Sequence, residues 1–347
     1  MKNLREHIID LKQSDWDYYF HLESNYIPTP FSDDISHADF IKRYFKRGGK
    51  DRIFKSYFNI ESSLLNHSEH TNSIFFLGIL ITKNIKFNNL IFNQNNLPGY
   101  SIFPFLWFLA CLFHDLGYDY EETEEYMNRI WDIDSLKKEL RIKNDFSSKA
   151  IRGVPDTIVK NISKYFIWKR FVKKSLDHGV VAGYYLYDKL VKNRKYRYKE
   201  NNDELFWHPD LDNQYAEVAA LIASHNIWFA NRESKESYET FQMNELIEHP
   251  SVNISDSPLL YLLGIVDSID PIKIFSDKLN KGDILRNLKI GFSENSFSFE
   301  TNAIGLDDFN LLKKKCEDLK LWLDVEILSE RNLITIVIKD EIIIASP

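Results

Sequence analysis

The chain has 347 residues, of which 44% are hydrophobic and 27% charged; its net charge is −7, and its two cysteines, Cys111 and Cys316, lie far apart. This balance excludes a disordered chain and a disulfide framework, and together with an N-terminal stretch that lacks an apolar signal-type run it predicts a cytoplasmic protein. The most apolar stretches, near 74–82 and 102–113, run about a dozen residues against the roughly 20 a membrane span needs, so no membrane partner is expected.

The first 60 residues read as a helical, aromatic-rich extension. Apolar residues then recur at three- and four-residue spacing up to about residue 275. SEHTNSIFFLGILITKNI reads as one helix, and FPFLWFLACLFHDLGY as another that breaks near Gly117. DHGVVAGYYLYDKLVKN follows with Asp177 as N-cap, then NQYAEVAALIASHNIWFA. Ser257-Pro258 is a cap followed by an N1 proline, opening SPLLYLLGIVDSID, and Pro271 should end or kink that helix. After residue 285 the texture changes. LRNLKIGFSE and SFSFETNA alternate like strands, DDFNLLKKKCEDLKLW is an amphipathic helix, and LDVEILSE and LITIVIKDEIII return to strand patterning. The expectation is a mainly α protein, a helical bundle with a small α+β C-terminal appendage of β-β-α-β-β order. Its parts would be an extension over 1–60, a catalytic domain over 61–280 and the appendage over 285–347.

Charge is spread unevenly. Residues 137–199 hold 18 Lys+Arg against 5 Asp+Glu, a local +13, which leaves −20 for the rest of the chain. Such a segment is either a solvated basic surface or a positive wall that attracts a nucleotide or nucleic acid.

Six polar groups border or interrupt the apolar segments. His70 opens one helix and His114-Asp115 ends the next; His178 opens a third, His225 lies near the end of a fourth, and Asp267 sits within a fifth. Burying such groups singly is costly unless each finds a partner. A divalent metal removes the cost for all of them together, since it accepts neutral imidazoles and carboxylates at once. Adjacent helical residues point about 100° apart, so His114 could serve one metal while Asp115 bridges two.

The order His…His-Asp…His…His…Asp resembles the HD superfamily of metal phosphohydrolases in its six-ligand, two-metal form. CLFHDLGY is similar to the segment that gives the family its name, DHGVVAGYYL to the opening of its third ligand helix, and LIASHN to the fourth. Asp267-Ser268-Ile269-Asp270-Pro271-Ile272-Lys273 is similar to the D-x-I-E-P-x-R stretch of bacterial HD hydrolases that split diadenosine tetraphosphate symmetrically, with Asp270 in place of Glu and Lys273 in place of Arg. The likeness covers roughly 62–275. The ligand-to-ligand spacings of 44, 64, 47 and 42 residues, from His70 through His114, His178 and His225 to Asp267, are long for that family.

The resemblance implies that His70, His114 and Asp267 hold one metal and His178 and His225 the other, with Asp115 bridging. Two divalent ions are implied, iron or manganese first and zinc or magnesium as alternatives. A metal-bridging hydroxide would attack a phosphoester or phosphoanhydride of a nucleotide or other phosphorylated small molecule. Lys273 would contact phosphate, and Lys169, Arg170, Lys173 and Lys174 from the basic segment could overhang the site. Two competing readings are a di-iron HD-type oxygenase and a nucleotide-sensing effector module without turnover. Around the ligands, His67 reads as a weak supporting residue, Asp177 as a helix cap and Asn226 as a polar helix end, with orientation of the neighbouring imidazoles as the alternative role for both. The acidic run Asp119–Glu125 reads as a solvated helix start, and His208 and His249 as loop residues before prolines.

Overall fold

The computed structural model describes residues 1–19, 26–32, 35–57, 67–86, 101–121, 123–201, 207–227, 235–247, 250–275, 281–301 and 306–339. The elements that matter for the site are β1 (Lys2–Asn3), α1 (His37–Lys46), α2 (Ser68–Asn84), α3 (Ile102–Phe113), α4 (Tyr118–Glu121) and α5 (Asp156–Trp168). They continue with α6 (His178–Asn201), α7 (Leu211–Ser224), α8 (Pro258–Ile269), α9 (Pro271–Phe275), β2 (Lys289–Phe292), β3 (Ser296–Glu300), α10 (Leu306–Leu319), β4 (Val325–Ser329) and β5 (Leu333–Ile338). The protein is predominantly helical with a small α+β part near its C-terminal end, as the patterning predicts. The chain divides into two compact units. One comprises Met1–Arg47, Leu65–Phe108 and Ser251–Pro347, and the other Gly48–Leu64 and Leu109–Pro250.

In the first unit, α2 is buried on nearly every face from Thr71 to Ile81. Its apolar residues therefore form no single stripe, the pattern of a core helix. Around it lies an aromatic cluster in which the Tyr44 ring sits 4.1 Å from Phe108 and the Phe75 ring 4.8 Å from Phe108. The indole of Trp107 donates to the Phe75 carbonyl at 3.0 Å, so a buried N–H is satisfied where the helix ladder leaves a second lone pair. Helix α8 starts with Pro258 in its first turn and Ser257 at the N-cap position, although the Ser257 hydroxyl makes no cap bond. It stops at Ile269, and Pro271 opens α9 two residues on, which fits a residue that cannot continue a helix but favours starting one.

The C-terminal expectation needs one correction. The two hairpins and helix form as read, but the sheet has five strands in the order β1-β2-β3-β5-β4, all neighbours antiparallel. The additional strand comes from the N-terminal end, where Lys2 and Asn3 pair with Ile290 and Lys289. Strand β1 is two residues long, too short for a period-2 pattern to register. Phe297 and Phe299 of β3 stand opposite Ile336 and Ile334 of β5, all four buried, so the alternation seen in the sequence is the buried face of the sheet. Residues 340–347, part of the last predicted strand, lie outside the described residues, as does His249.

In the second unit, α6 packs along α7 and α5 lies against α7. Small residues set the approach of α6. A side chain at Gly179 would meet the Ile222 carbonyl at 2.7 Å and the His225 ring at 2.8 Å, so glycine is what lets the start of α6 close onto the end of α7. Gly117 serves the turn after α3 in the same way, since a Cβ there would collide with the His178 backbone carbonyl. Among the described residues no helix is long and apolar enough to cross a membrane.

Candidate metal centre

The second unit gathers three imidazoles and one carboxylate. Helix α3 ends at Phe113, and His114 and Asp115 lie in the turn that follows, where Leu116 N–H bonds back to the Phe113 carbonyl and Tyr118 N–H to Asp115. This corrects the expectation of two successive helical positions: the divergence of the two side chains is set by a turn, not by helical geometry. His178 is the first residue of α6, and His225 follows the last residue of α7. One ligand atom each from Asp115, His178 and His225 lie within 4.8 Å of one another. Asp115 Oδ1 is 3.2 Å from His114 Nε2 and 3.7 Å from His178 Nε2. The His225 ring centroid is 5.4 Å from that of His114 and 5.3 Å from that of His178.

Each ring is oriented through Nδ1. His114 Nδ1 donates to the Cys111 carbonyl at 2.9 Å and His225 Nδ1 to the Ile222 carbonyl at 2.6 Å, in both cases three residues back along the chain. His178 Nδ1 donates to Glu121 Oε2 at 2.9 Å. A carbonyl or carboxylate only accepts, so the proton sits on Nδ1, and each neutral ring carries its lone pair on Nε2. For His114 that lone pair faces the Asp115 carboxylate, two acceptors in contact with each other. Only a proton or a cation between them makes the arrangement favourable. His114, His178 and His225 are buried and Asp115 is nearly so, which raises the cost of leaving the charge uncompensated. The donor set therefore suits a metal ion: imidazole Nε2 atoms and a carboxylate oxygen, gathered in a buried site and backed by hydrogen bonds through Nδ1.

The first unit holds the remaining candidates. His70, in the first turn of α2, lies between two carboxylates, with Nε2 3.3 Å from Asp267 Oδ1 and Nδ1 2.8 Å from Asp270 Oδ2. Burial alone would depress its pKa, but the hydrogen bonds and charges of Asp267 and Asp270 outweigh it and lift the imidazole to about 8. Asp270 is fully buried. It accepts from the Ser73 hydroxyl and from the backbone N–H groups of Ile272 (3.3 Å) and Lys273 (3.1 Å), so it also caps the short helix α9. Asp267 is 19% exposed rather than sealed in an apolar helix, and the Lys273 ammonium lies 2.8 Å from its Oδ1. Both cations beside Asp267, the imidazolium and the ammonium, occupy the carboxylate in the way a metal ion would.

Of the other residues singled out in the sequence, Asp177 caps α6 as read, accepting from Val180 N–H at 2.9 Å. Asn226 Nδ2 is 2.6 Å from His178 Nε2, so it contacts an imidazole, the second of the two roles its position allowed. His67 occupies the N-cap position of α2 without a cap bond from its side chain, and His208 is exposed beside Asp210. The basic segment is largely engaged locally. Lys169 contacts Glu121 at 2.8 Å and Asp177 at 3.1 Å, Arg170 donates to the Ile130 and Met127 carbonyls, and Lys173 lies over the Trp168 ring. Nothing in the sequence marks Glu121 and Asp270 as the partners of His178 and His70. No family model, curated protein or solved structure matches the chain.

Proposed function

We propose that the protein is a metal-dependent phosphohydrolase of the HD type that cleaves a phosphoester or phosphoanhydride bond in a nucleotide-like substrate. The observation that supports the reading is the set of imidazoles at Asp115, each held through Nδ1 so that Nε2 is the nitrogen a cation would meet. In this reading His178 and His225 would hold one divalent ion and His70, His114 and Asp267 a second, with Asp115 available to both; iron or manganese would suit the donors best. When bound, the two ions supply an activated water near neutral pH and neutralise charge growing on the phosphoryl oxygens.

The chain's own residues supply the rest. The Nδ1 bonds to Cys111, Ile222, Glu121 and Asp270 keep the rings from turning, so the imidazoles need not reorient to bind, and only the Asn226 and Asp267 contacts would have to yield. Lys273, which pairs with Asp267, is the side chain that would meet a substrate phosphate, as a point charge. The stretch Asp267 to Lys273 and the basic segment 137–199 support a phosphorylated substrate over a neutral one. The division into an extension over 1–60, a catalytic domain over 61–280 and an appendage over 285–347 belongs to the same proposal.

The test is metal analysis of the purified protein followed by a nucleotide and phosphodiester panel under air, with oxygen uptake recorded. Two ions per chain and phosphate-bond cleavage without oxygen uptake are expected. Oxygen consumption with an organic substrate would replace the reading with a di-iron oxygenase. A metal-free protein whose nucleotide binding survives His114→Ala would replace it with a sensor module.

A further inference from the structure

The acidic run Asp119–Glu125 is not uniformly solvated. Tyr118–Glu121 forms a single helical turn directly after the His114-Asp115 turn, and the Glu121 side chain is only 15% exposed. Its backbone carbonyl accepts from Leu176 N–H at 3.0 Å, which latches the segment before α6 onto this turn. Its two carboxylate oxygens then divide their work: Oε2 takes the Nδ1 proton of His178 at 2.9 Å, and Oε1 meets the Lys169 ammonium at 2.8 Å. Lys169 is shared with Asp177, whose other oxygen caps α6 immediately above His178. On the far side of the ring, the Asn226 amide lies 2.6 Å from Nε2, which therefore acts as an acceptor. The Tyr118 ring stacks on the imidazole at 3.9 Å and 26°, fixing its plane.

The Lys169 ammonium on Oε1 and the His178 N–H on Oε2 both match an ionised carboxylate. A carboxylate behind an imidazole fixes its tautomer, aims the opposite nitrogen and makes it a better donor to a cation.

We propose that Glu121 is a positioning residue for His178: it takes the Nδ1 proton and so leaves Nε2, which here accepts from Asn226, as the donor that a metal beside Asp115 would take over from that amide, with Lys169 pinning the carboxylate in place. This rests on the metal reading of Asp115, His178 and His225. The same contacts could serve only to tie α6 to the turn after α3, and the backbone bond from Leu176 does that by itself. What the structural role does not require is a carboxylate on the ring nitrogen opposite the one nearest Asp115.

The test uses the full-length protein freed of metal and titrated with Co2+ against a competing chelator. Glu121→Ala should weaken the Asp115–His178–His225 site by about 10- to 100-fold and alter its visible Co2+ bands. Lys169→Met should cause a smaller loss, and Glu125→Gln, in the same acidic run on the exposed surface, none. Should Glu121→Ala fold poorly, Glu121→Gln keeps the side-chain length and the Leu176 bond and is expected to lose about tenfold. In parallel, 15N spectra of the histidine-labelled, metal-free protein at about pH 9, above the ordinary imidazole range, should place the His178 proton on Nδ1 in the parent and move it in Glu121→Ala. Unchanged Co2+ affinity in Glu121→Ala and Glu121→Gln, with only a lower melting temperature, would overturn the proposal. A parent protein that takes up no Co2+ would instead overturn the metal reading itself, so the two failures are told apart by the parent titration.

Discussion

The two units treat their buried histidines differently. In the second, three imidazoles share one carboxylate, Asp115, and two of them are steadied by backbone carbonyls three residues back. In the first, a single imidazole, His70, is flanked by two carboxylates, and Lys273 adds a second positive charge on Asp267. The anion-rich arrangement is satisfied by protons and an ammonium, which is why His70 titrates near 8. The imidazole-rich arrangement sets His114 Nε2 against the Asp115 carboxylate and groups His178 and His225 beside it, a donor set that suits a cation of higher charge. The contrast teaches that burial is not what decides the state of these groups; the count of opposite charges at hydrogen-bond distance is.

That contrast can be broken by substitution. The largest effect is expected from Asp115→Ala, which removes the carboxylate that the second-unit imidazoles share. Metal content measured by elemental analysis should fall to background while the melting temperature of the metal-free protein stays close to that of the parent. Next is Asp270→Ala in the first unit. It strips partners from His70, the Ser73 hydroxyl and two N–H groups of α9, and should cost about 3 kcal/mol in denaturant unfolding of the metal-free protein. Gly179→Ala should cost about 1–3 kcal/mol by forcing α6 away from Ile222 and His225, and should weaken metal binding along with stability.

The smallest effect sharpens the rule about charge partners. Glu217, on α7, is pushed up to about 7 by burial, only partly offset by Arg152, whereas Glu121, with a lysine and an imidazole on it, is held near 2. Because its folded pKa lies above the ordinary value of 4.5, the folded state binds the extra proton between those values. The stability carried by protonated Glu217 is present below pH 4.5 and is lost as the pH rises toward 7. Glu217→Gln should therefore stabilise the protein by roughly 1 kcal/mol above pH 7, after allowance for solvent screening, and not at all near pH 4. Melting curves across that range check the sign.

Much of the helical architecture was legible because it rests on local pattern. The long apolar run of α2 and the Ser257-Pro258 start of α8 mark their own limits. The candidate ligands were legible because a histidine or aspartate at the edge of an apolar helix stands out against its neighbours. Their partners were not. Glu121 meets His178 across 57 residues and Asp270 meets His70 across 200, and nothing in an acidic run or a short D-x-x-D spacing says which carboxylate turns inward. The turn at His114-Asp115 was missed for a related reason: LACLFHDLGY is helical by composition, and the break comes where Gly117 must pass the His178 carbonyl. Strand β1 is defined wholly by its partner, residues 289 and 290.

The order in which the units draw on the chain bears on how the protein is made. Everything assigned to the second unit lies between Gly48 and Pro250, whereas the first needs Met1–Arg47, Leu65–Phe108 and Ser251–Pro347. Synthesis proceeds from the N-terminal end, and domains tend to fold as they emerge. The Asp115–His178–His225 cluster is therefore complete in sequence before α8 and the central strands are made, and the two residues of β1 must wait for Lys289 and Ile290 before they find their place.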